Sequence, residues 1–433
     1  MGGVSFSPAI PVSPDDAPWF RRTLRFLDRW QVPGFVLFAA GLAFSISFTN
    51  YAIFVFVLLP LLIRADFERR VRLYRTPLDF PFLALYASMI LSSVGAYFVG
   101  GADFGNRSFL WTVTYTAPIV FYTVCFALPA HSVKLWGYMA AALFLAAAAH
   151  GGVAVFQFVR TVLAGEDLYG VRPSGRMFYM TFGGVMALII TFSIAIWLKA
   201  GFKLKWRLAL AGLILIMLGG LAACLVRSAW VSLAVAVFVI AVVADKRLLW
   251  AFPVVALAVA IAAPRPILKR AESIINAAKG QPGAEGPPEF RVDIWRTTLR
   301  IAHDYPLTGV GLHNTIKLYD RYKDPDAIES QVPHAHNNYI QLVVERGVLG
   351  FLAFAYFVYA LFALFIKGYR RARAPTARAV NLAGIGVMSG FMVGGFFEYT
   401  FGDYEIMAII YALAAVATVI GRREDQDAAA PTP

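Results

Sequence analysis

Two histidines near the end of a long polar stretch, in Pro333-His334-Ala335-His336-Asn337-Asn338, are the side chains of this sequence best placed to do chemistry. Imidazoles there can play three parts. They can brace a turn. They can ligate a metal, with His303 and His313 as further nitrogen donors, although the spacing matches no standard zinc pattern. They can also take a proton from a reacting hydroxyl. Asn337 or Asn338 can cap the helix predicted by the apolar run that follows, so His336 sits just before a helix N terminus. The positive end of that helix dipole disfavours an imidazolium, and a neutral ring can act as a general base.

Arginines supply a second kind of chemistry. Arg172, Arg176 and Arg227 fall at the ends of apolar runs. A guanidinium fork binds phosphate oxygens bidentately and stays charged, and beside hydrocarbon it is costly unless it meets an anion. Anchoring to lipid headgroups is the plainer role, and it suits Arg176 best. Glu398, Asp403 and Glu405 flank one further connection, where a carboxylate can orient a cationic group, bind sugar hydroxyls or cap a helix.

The elements that must position these residues are set by composition. Of 433 residues, 59% are hydrophobic and 15% are charged, against about 25% charged in soluble domains. Mean hydropathy is +0.65. A water-facing surface cannot be covered with so few polar groups, which points to an all-α integral membrane protein. Cys125 and Cys224 both lie in apolar stretches, which excludes a disulfide framework and a four-cysteine zinc site. No cleavable signal is evident in residues 1–31. Twelve transmembrane spans are predicted, near 32–48, 50–65, 77–98, 107–128, 134–163, 177–199, 204–223, 226–244, 247–263, 338–366, 379–398 and 403–421.

The net charge of +13 is explained by where the cations lie. Arg21, Arg22, Arg25 and Arg29, then Arg64 to Arg75, Lys134, Lys199 to Arg207, Lys246 and Arg247, Lys367 to Arg378, and Arg422 and Arg423 all fall on one side of the predicted topology. The short connections on the other side hold Arg107, Arg172, Arg176 and Arg227. By the positive-inside bias the crowded side is cytoplasmic, and no nucleic-acid partner is needed to account for the charge. The domains follow: a cytoplasmic segment 1–31, spans one to nine over 32–263, a large outer loop 264–336, spans ten to twelve over 337–421, and a cytoplasmic tail 422–433. Within the loop, residues 280–288 read as mobile, and Glu289–His303 as an amphipathic helix whose Trp295 suits a membrane interface. His150, in an alanine- and glycine-rich run, reads as a packed residue at a small-residue helix contact.

The string His336-Asn337, nine residues, then Gly347-Val348-Leu349-Gly350 resembles the signature of the bacterial O-antigen ligase family, which includes lipopolysaccharide O-antigen ligases and related polysaccharide polymerases. Arg291 to Trp295 resembles its Arg-x-x-x-Trp element, and Pro306 to Gly311 its Pro-x-x-Gly-x-Gly element. Arg172-Pro173-Ser174-Gly175 resembles its Arg-x-x-Gly element, and Arg227-Ser228-Ala229-Trp230 the arginine-bearing start of a later span. The resemblance implies a GT-C-like helical fold with one large periplasmic loop between spans nine and ten. It implies a bacterial inner-membrane, multi-pass glycosyltransferase, inverting and metal-independent, with no cofactor. Its donor is a glycan on undecaprenyl pyrophosphate, and in ligases its acceptor is a sugar hydroxyl of lipid A-core. The catalytic histidine maps onto His336, and the pyrophosphate-binding arginines onto Arg172, Arg227 and Arg291. Asn337, His334 and Glu398 stand as acceptor-binding or orienting residues. Three other activities fit less well: a polymerase with the same donor, a protein-directed oligosaccharide transferase, and a polysaccharide-lipid transporter, which would place ionisable residues and broken helices at the midplane.

Overall fold

A computed structural model describes residues 18–62, 74–250, 263–278, 288–325 and 332–429, with 253 and 257. Among these, every regular element is helical. In chain order they are α1 (Pro18–Gly41), α2 (Ile46–Tyr51), α3 (Asp79–Thr114), α4 (Ala117–Ala127), α5 (Lys134–Ala164), α6 (Leu168–Val171), α7 (Tyr179–Lys199), α8 (Leu204–Ala223), α9 (Arg227–Ala244), α10 (Arg265–Ala278), α11 (Pro288–Asp304), α12 (Thr315–Tyr322), α13 (Asn338–Arg371), α14 (Pro375–Gly394) and α15 (Tyr404–Ala429). Eight helical stretches among the described residues are long and apolar enough to cross a membrane, and the chain is a multi-pass membrane protein.

The longest of these stretches, Asp79–Ala127, is not one rod. Gly100 and Gly101 leave helical geometry, Gly101 with φ +66°. Beyond them the chain folds back: the Ser93 hydroxyl meets those of Ser108 and Thr112, Tyr97 donates to Asn106, and Tyr122 donates to Asp79. The predicted spans 77–98 and 107–128 are the two arms of this antiparallel hairpin. The predicted spans 32–48 and 50–65 correspond to α1 and to α2 with the wider helical turns Ala52–Leu58. The predicted span 247–263 and the reading of residues 280–288 fall largely outside the described residues.

α14 runs through the middle, packed against α7, α9, α13 and α15. Its small residues allow this: a Cβ on Gly390 would meet the Ser232 carbonyl and Ala236 of α9 at 2.8 and 3.1 Å. α5 and α8 make the same kind of contact at Gly151 and Gly220, as packing between spans favours when small residues let backbones approach.

The two ends of the bundle differ. At one, Arg423 donates to the carbonyls of Pro129 and His131, Arg422 lies 3.5 Å over the Tyr74 ring, and Glu424 accepts the N–H groups of Arg373 and Ala374. The connections there belong to the lysine- and arginine-rich set. The other end gathers the turn at 43–45, the 172–177 loop, the α8–α9 turn, and the segments at 305–314, 332–338 and 395–403.

The segment predicted as a long polar loop is mostly helical at that second end, with α10, α11 and α12 packed onto the bundle. Trp295 is half-buried there, and its indole N–H donates to the Ala335 carbonyl at 2.9 Å. Trp295 thus braces the histidine loop. An indole suits this setting because it pairs a large apolar face with one donor.

Candidate active site

The histidine loop is built by local chemistry. Asn337 has extended backbone and its side-chain oxygen accepts the N–H groups of Tyr339 and Ile340 at 2.9 and 3.1 Å, so it is the N-cap of α13. A cap of this kind contributes about 1 kcal/mol. Its amide also donates to the Phe396 carbonyl. Asn338 donates its backbone N–H to Gly395 and its side-chain amide to Thr400, and accepts from the Phe401 N–H. The two asparagines thus tie the start of α13 to the 395–401 segment between α14 and α15.

That connection brings Glu398 to the histidines. His336 Nδ1 lies 2.9 Å from Glu398 Oε1, and His334 Nδ1 lies 4.0 Å from the same oxygen. The two imidazoles are 4.3 Å apart, centre to centre. Burial opposes ionisation of Glu398, but the hydrogen bond and charge of His336, helped by His334, hold its carboxyl below the usual range. A carboxylate only accepts, so Nδ1 of His336 donates, and in its neutral form the ring carries its lone pair at Nε2. His336 stands in the left-handed region, with φ +47°. A non-glycine residue held there costs energy and persists only where its surroundings impose it. A carboxylate orienting an imidazole is the arrangement of a general base with its tautomer set.

His334, His336 and Glu398 are also the one group among the described residues whose ligand atoms lie close enough together to hold a metal ion, within 4.8 Å of one another. The His303 and His313 donors imagined from the sequence are not part of it. His303 is exposed beside Asp304, and His313 stacks on Trp111 with ring centres 3.8 Å apart. His334 Nδ1 accepts the His336 N–H.

Burial, reinforced by the charge of His336, pulls His334 down to about 4. The unfolded chain takes up this proton near pH 6.5, whereas the folded chain resists until about pH 4. The stabilisation is complete above pH 6.5 and declines as pH falls toward 4. A thermal melt of the purified protein across that window is expected to show a falling Tm, with a shallower slope for His334→Gln. Equal slopes would show that His334 does not titrate this way.

The predicted arginines separate into two groups. Arg291 lies beside the histidines: its Nη1 donates to the Phe397 carbonyl at 2.9 Å, and its charge reaches His334. Arg172 and Arg227 belong to a second cluster around the α8–α9 turn. The Arg172 guanidinium lies 4.3 Å over the Tyr179 ring. Arg227 opens α9, and its Nη1 reaches Ser273 Oγ at 3.3 Å. One turn earlier on α10, Arg270 is buried and donates from Nε to the Leu225 carbonyl at 2.7 Å. The Cys224 thiol lies within electrostatic reach of both Arg270 and Arg172. The sequence reading missed Arg270. Its signal was the amphipathic spacing of Ile267, Ala271 and Ile274, which predicts a helix with Arg270 near its bundle-facing side.

Two polar residues of α5, seven apart and therefore on one helix face, hold the Arg172 loop. Gln157 accepts the N–H groups of Ser174 and Gly175 and donates to the Gly175 carbonyl. His150 donates from Nδ1 to the Ala43 carbonyl at 2.8 Å and accepts the Arg176 N–H at Nε2. Gly175, with φ +67°, packs so closely on His150 that a Cβ there would strike the ring. His150 therefore does more than line the small-residue contact made by its neighbour Gly151. The Arg176 side chain is exposed. Thr181, two residues beyond Tyr179, donates to Asp403 at 3.2 Å, which joins the arginine loop to the segment carrying Glu398.

Of the four non-glycine residues with positive φ among those described, Arg172, Leu225 and His336 lie in these two clusters, and His313 lies in the 305–314 segment at the same end. Strained backbone gathered at one end is what a functional site leads one to expect.

Residues 212–355 match the family model described as O-antigen ligase. The chain carries an O-antigen ligase family domain. The matched segment runs from α8 into α13 and includes Arg227, Arg270, Arg291, His334 and His336. Arg172 and Glu398, which the fold brings to the same end, lie outside it. No curated protein matches the chain. The family supports a ligase- or polymerase-like role, with glycan and lipid substrates in a membrane setting.

Proposed function

We propose that this protein is an O-antigen ligase: a metal-independent, inverting glycosyltransferase that moves a glycan from undecaprenyl pyrophosphate to a sugar hydroxyl of lipid A-core, on the periplasmic face of the bacterial inner membrane. The observation that carries this reading is the Glu398–His336 pair, 2.9 Å apart, whose histidine lies in a family domain that also carries arginines at the same end of the bundle.

The reaction needs a base, a cationic hold on the leaving group and access from the bilayer. In this reading His336 Nε2 takes the proton of the acceptor hydroxyl. The oxygen attacks the anomeric carbon in line, and the bond to the pyrophosphate oxygen breaks with its electron pair. Glu398 keeps Nδ1–H in place and stabilises the imidazolium as it forms. Arg172 and Arg227, with Arg270 beside them, hold the pyrophosphate as its charge grows, and Arg291 does so from the histidine side. His334 and Asn337 shape the acceptor position. A small pocket of about 30 Å³ lies between α7, α9 and α14, lined by Gly184, Ser232, Gly390, Gly394 and Thr400; it has room for water, not for a lipid chain.

The test is transfer by purified protein from a lipid-pyrophosphate glycan to lipid A-core, with and without a chelator, with the product's anomeric configuration read by NMR. Full activity in chelator and an inverted linkage are expected. Loss of activity restored by a divalent ion would instead assign His334, His336 and Glu398 to a metal. A polymerase with the same donor is the second reading, because the family domain supports either role.

A further inference from the structure

The helix α13 is broken inside its signature, and the break carries a buried carboxylate. Gly347 has φ +62° and ψ −167°, which ends the regular turn that starts at Asn337. The freed backbone groups are taken up by the 306–311 segment. Val310 and Gly311 donate to the carbonyls of Val344 and Glu345, while Val348 and Leu349 donate to those of Pro306 and Leu307. Ser92 adds a hydrogen bond to the Glu345 carbonyl at 2.6 Å.

Glu345 itself is 1% exposed. Burying a carboxylate is costly unless donors surround it. Its Oε1 accepts the His313 N–H and the Gln341 side-chain amide, both at 2.8 Å, and its Oε2 faces the Tyr399 hydroxyl at 3.4 Å. Gln341 in turn accepts the Ala335 N–H at 2.7 Å, between the two histidines. Tyr399 follows Glu398 directly, and its own N–H donates to Glu398 Oε1. Next to Glu345, Arg346 is buried with its guanidinium 5.3 Å over the Phe401 ring. One carboxylate thus links three segments: the turn at His313, the His334–His336 loop, and the Glu398–Tyr399 segment.

We propose that Glu345 is the positioning residue of the active site, holding His336 and Glu398 in register through Gln341 and Tyr399. The inference rests on His336 being the base. The chain of bonds reaches the reacting groups only through other residues, so Glu345 sets their geometry and takes no proton from substrate. Displacing a reacting group by about 1 Å can cost on the order of a hundredfold in rate.

The experiment compares steady-state transfer by Glu345→Gln, Glu345→Ala, Gln341→Met and His336→Ala, each purified as a monodisperse protein. Glu345→Ala and Gln341→Met are expected to lower kcat by roughly 10- to 100-fold, with KM for the lipid-linked donor within about threefold. Glu345→Gln keeps an acceptor oxygen in the same place and is expected to retain more activity than Glu345→Ala. If Glu345→Ala does not fold, Gln341→Met decides, because it removes only the link and conserves volume. With His336→Ala inactive, wild-type kcat in Gln341→Met, a change confined to KM, or equal losses in Glu345→Gln and Glu345→Ala would each overturn the inference. Wild-type transfer by His336→Ala would instead remove the reading beneath it.

Discussion

His336→Ala is expected to lower glycan transfer by about 10²- to 10⁴-fold, the range that a positioned general base contributes. The protein should still fold. The α13 cap belongs to Asn337, and the contacts between the 332–338 and 395–401 segments run mainly through Asn337 and Asn338. Loss of the ring leaves Glu398 with one hydrogen-bond donor fewer, but the Tyr399 N–H remains on its Oε1. Glu398→Gln should cause a smaller loss, because the ring stays while its tautomer is no longer imposed. Its amide can present a donor to Nδ1, which would move the ring hydrogen to Nε2 and hide the lone pair from the acceptor. Transfer assays beside size-exclusion profiles and thermal melts check both variants. A folded His336→Ala with near-normal activity would end the base assignment.

Gly347→Ala is expected to be the most damaging single change away from the reacting groups. Its φ and ψ lie in a region that is essentially restricted to glycine, at a cost of about 1–3 kcal/mol for another residue. A Cβ there would also land on the Leu307 carbonyl and peptide, backbone that cannot swing away as a side chain could. The 306–311 segment would have to leave the break and expose its unpaired N–H and carbonyl groups in an apolar setting. Total stabilities of only about 5–15 kcal/mol make such a loss large. Gly212→Ala is the matched control, since a Cβ at Gly212 meets nothing within 4 Å and φ is ordinary. Alanine in a helix should there be neutral or stabilising by about 0.5–1 kcal/mol. A clear drop in Tm and in activity for Gly347→Ala, with neither for Gly212→Ala, is the expected pair of results. Matching melts for the two variants would refute the account of the break.

Much of this architecture was legible in the residues. Apolar runs bounded by cations gave the order of helices, because hydrocarbon imposes a strict requirement on length and composition. His336 was legible because an asparagine cap and an apolar run after it define its place. Glu398 was readable as a carboxylate near the outer end, but its distance from His336 depends on how the 395–401 segment folds, 62 residues along the chain. The reversal at Gly100 and Gly101 falls in the gap between the predicted spans 77–98 and 107–128, where glycines and polar residues interrupt the apolar run. The roles of His150 and Gln157 lay in tertiary contacts to a loop of unusual backbone, and a small-residue run around them drew attention to helix packing. Trp295 matched a membrane-interface pattern, and its bond to Ala335 in the histidine loop had no local signal. In each case local chemistry named the residue type, and the partner came from elsewhere in the chain.

The most direct test of the central claim is a deletion strain complemented with the wild-type chain or with His336→Ala, with lipid A-core glycans and undecaprenyl-linked glycans analysed side by side. The ligase account predicts that His336→Ala leaves long polymer on the undecaprenyl carrier and bare lipid A-core, while the wild-type chain restores polymer to the core. Single repeat units on the core with loss of the long ladder would contradict it and make the protein a polymerase.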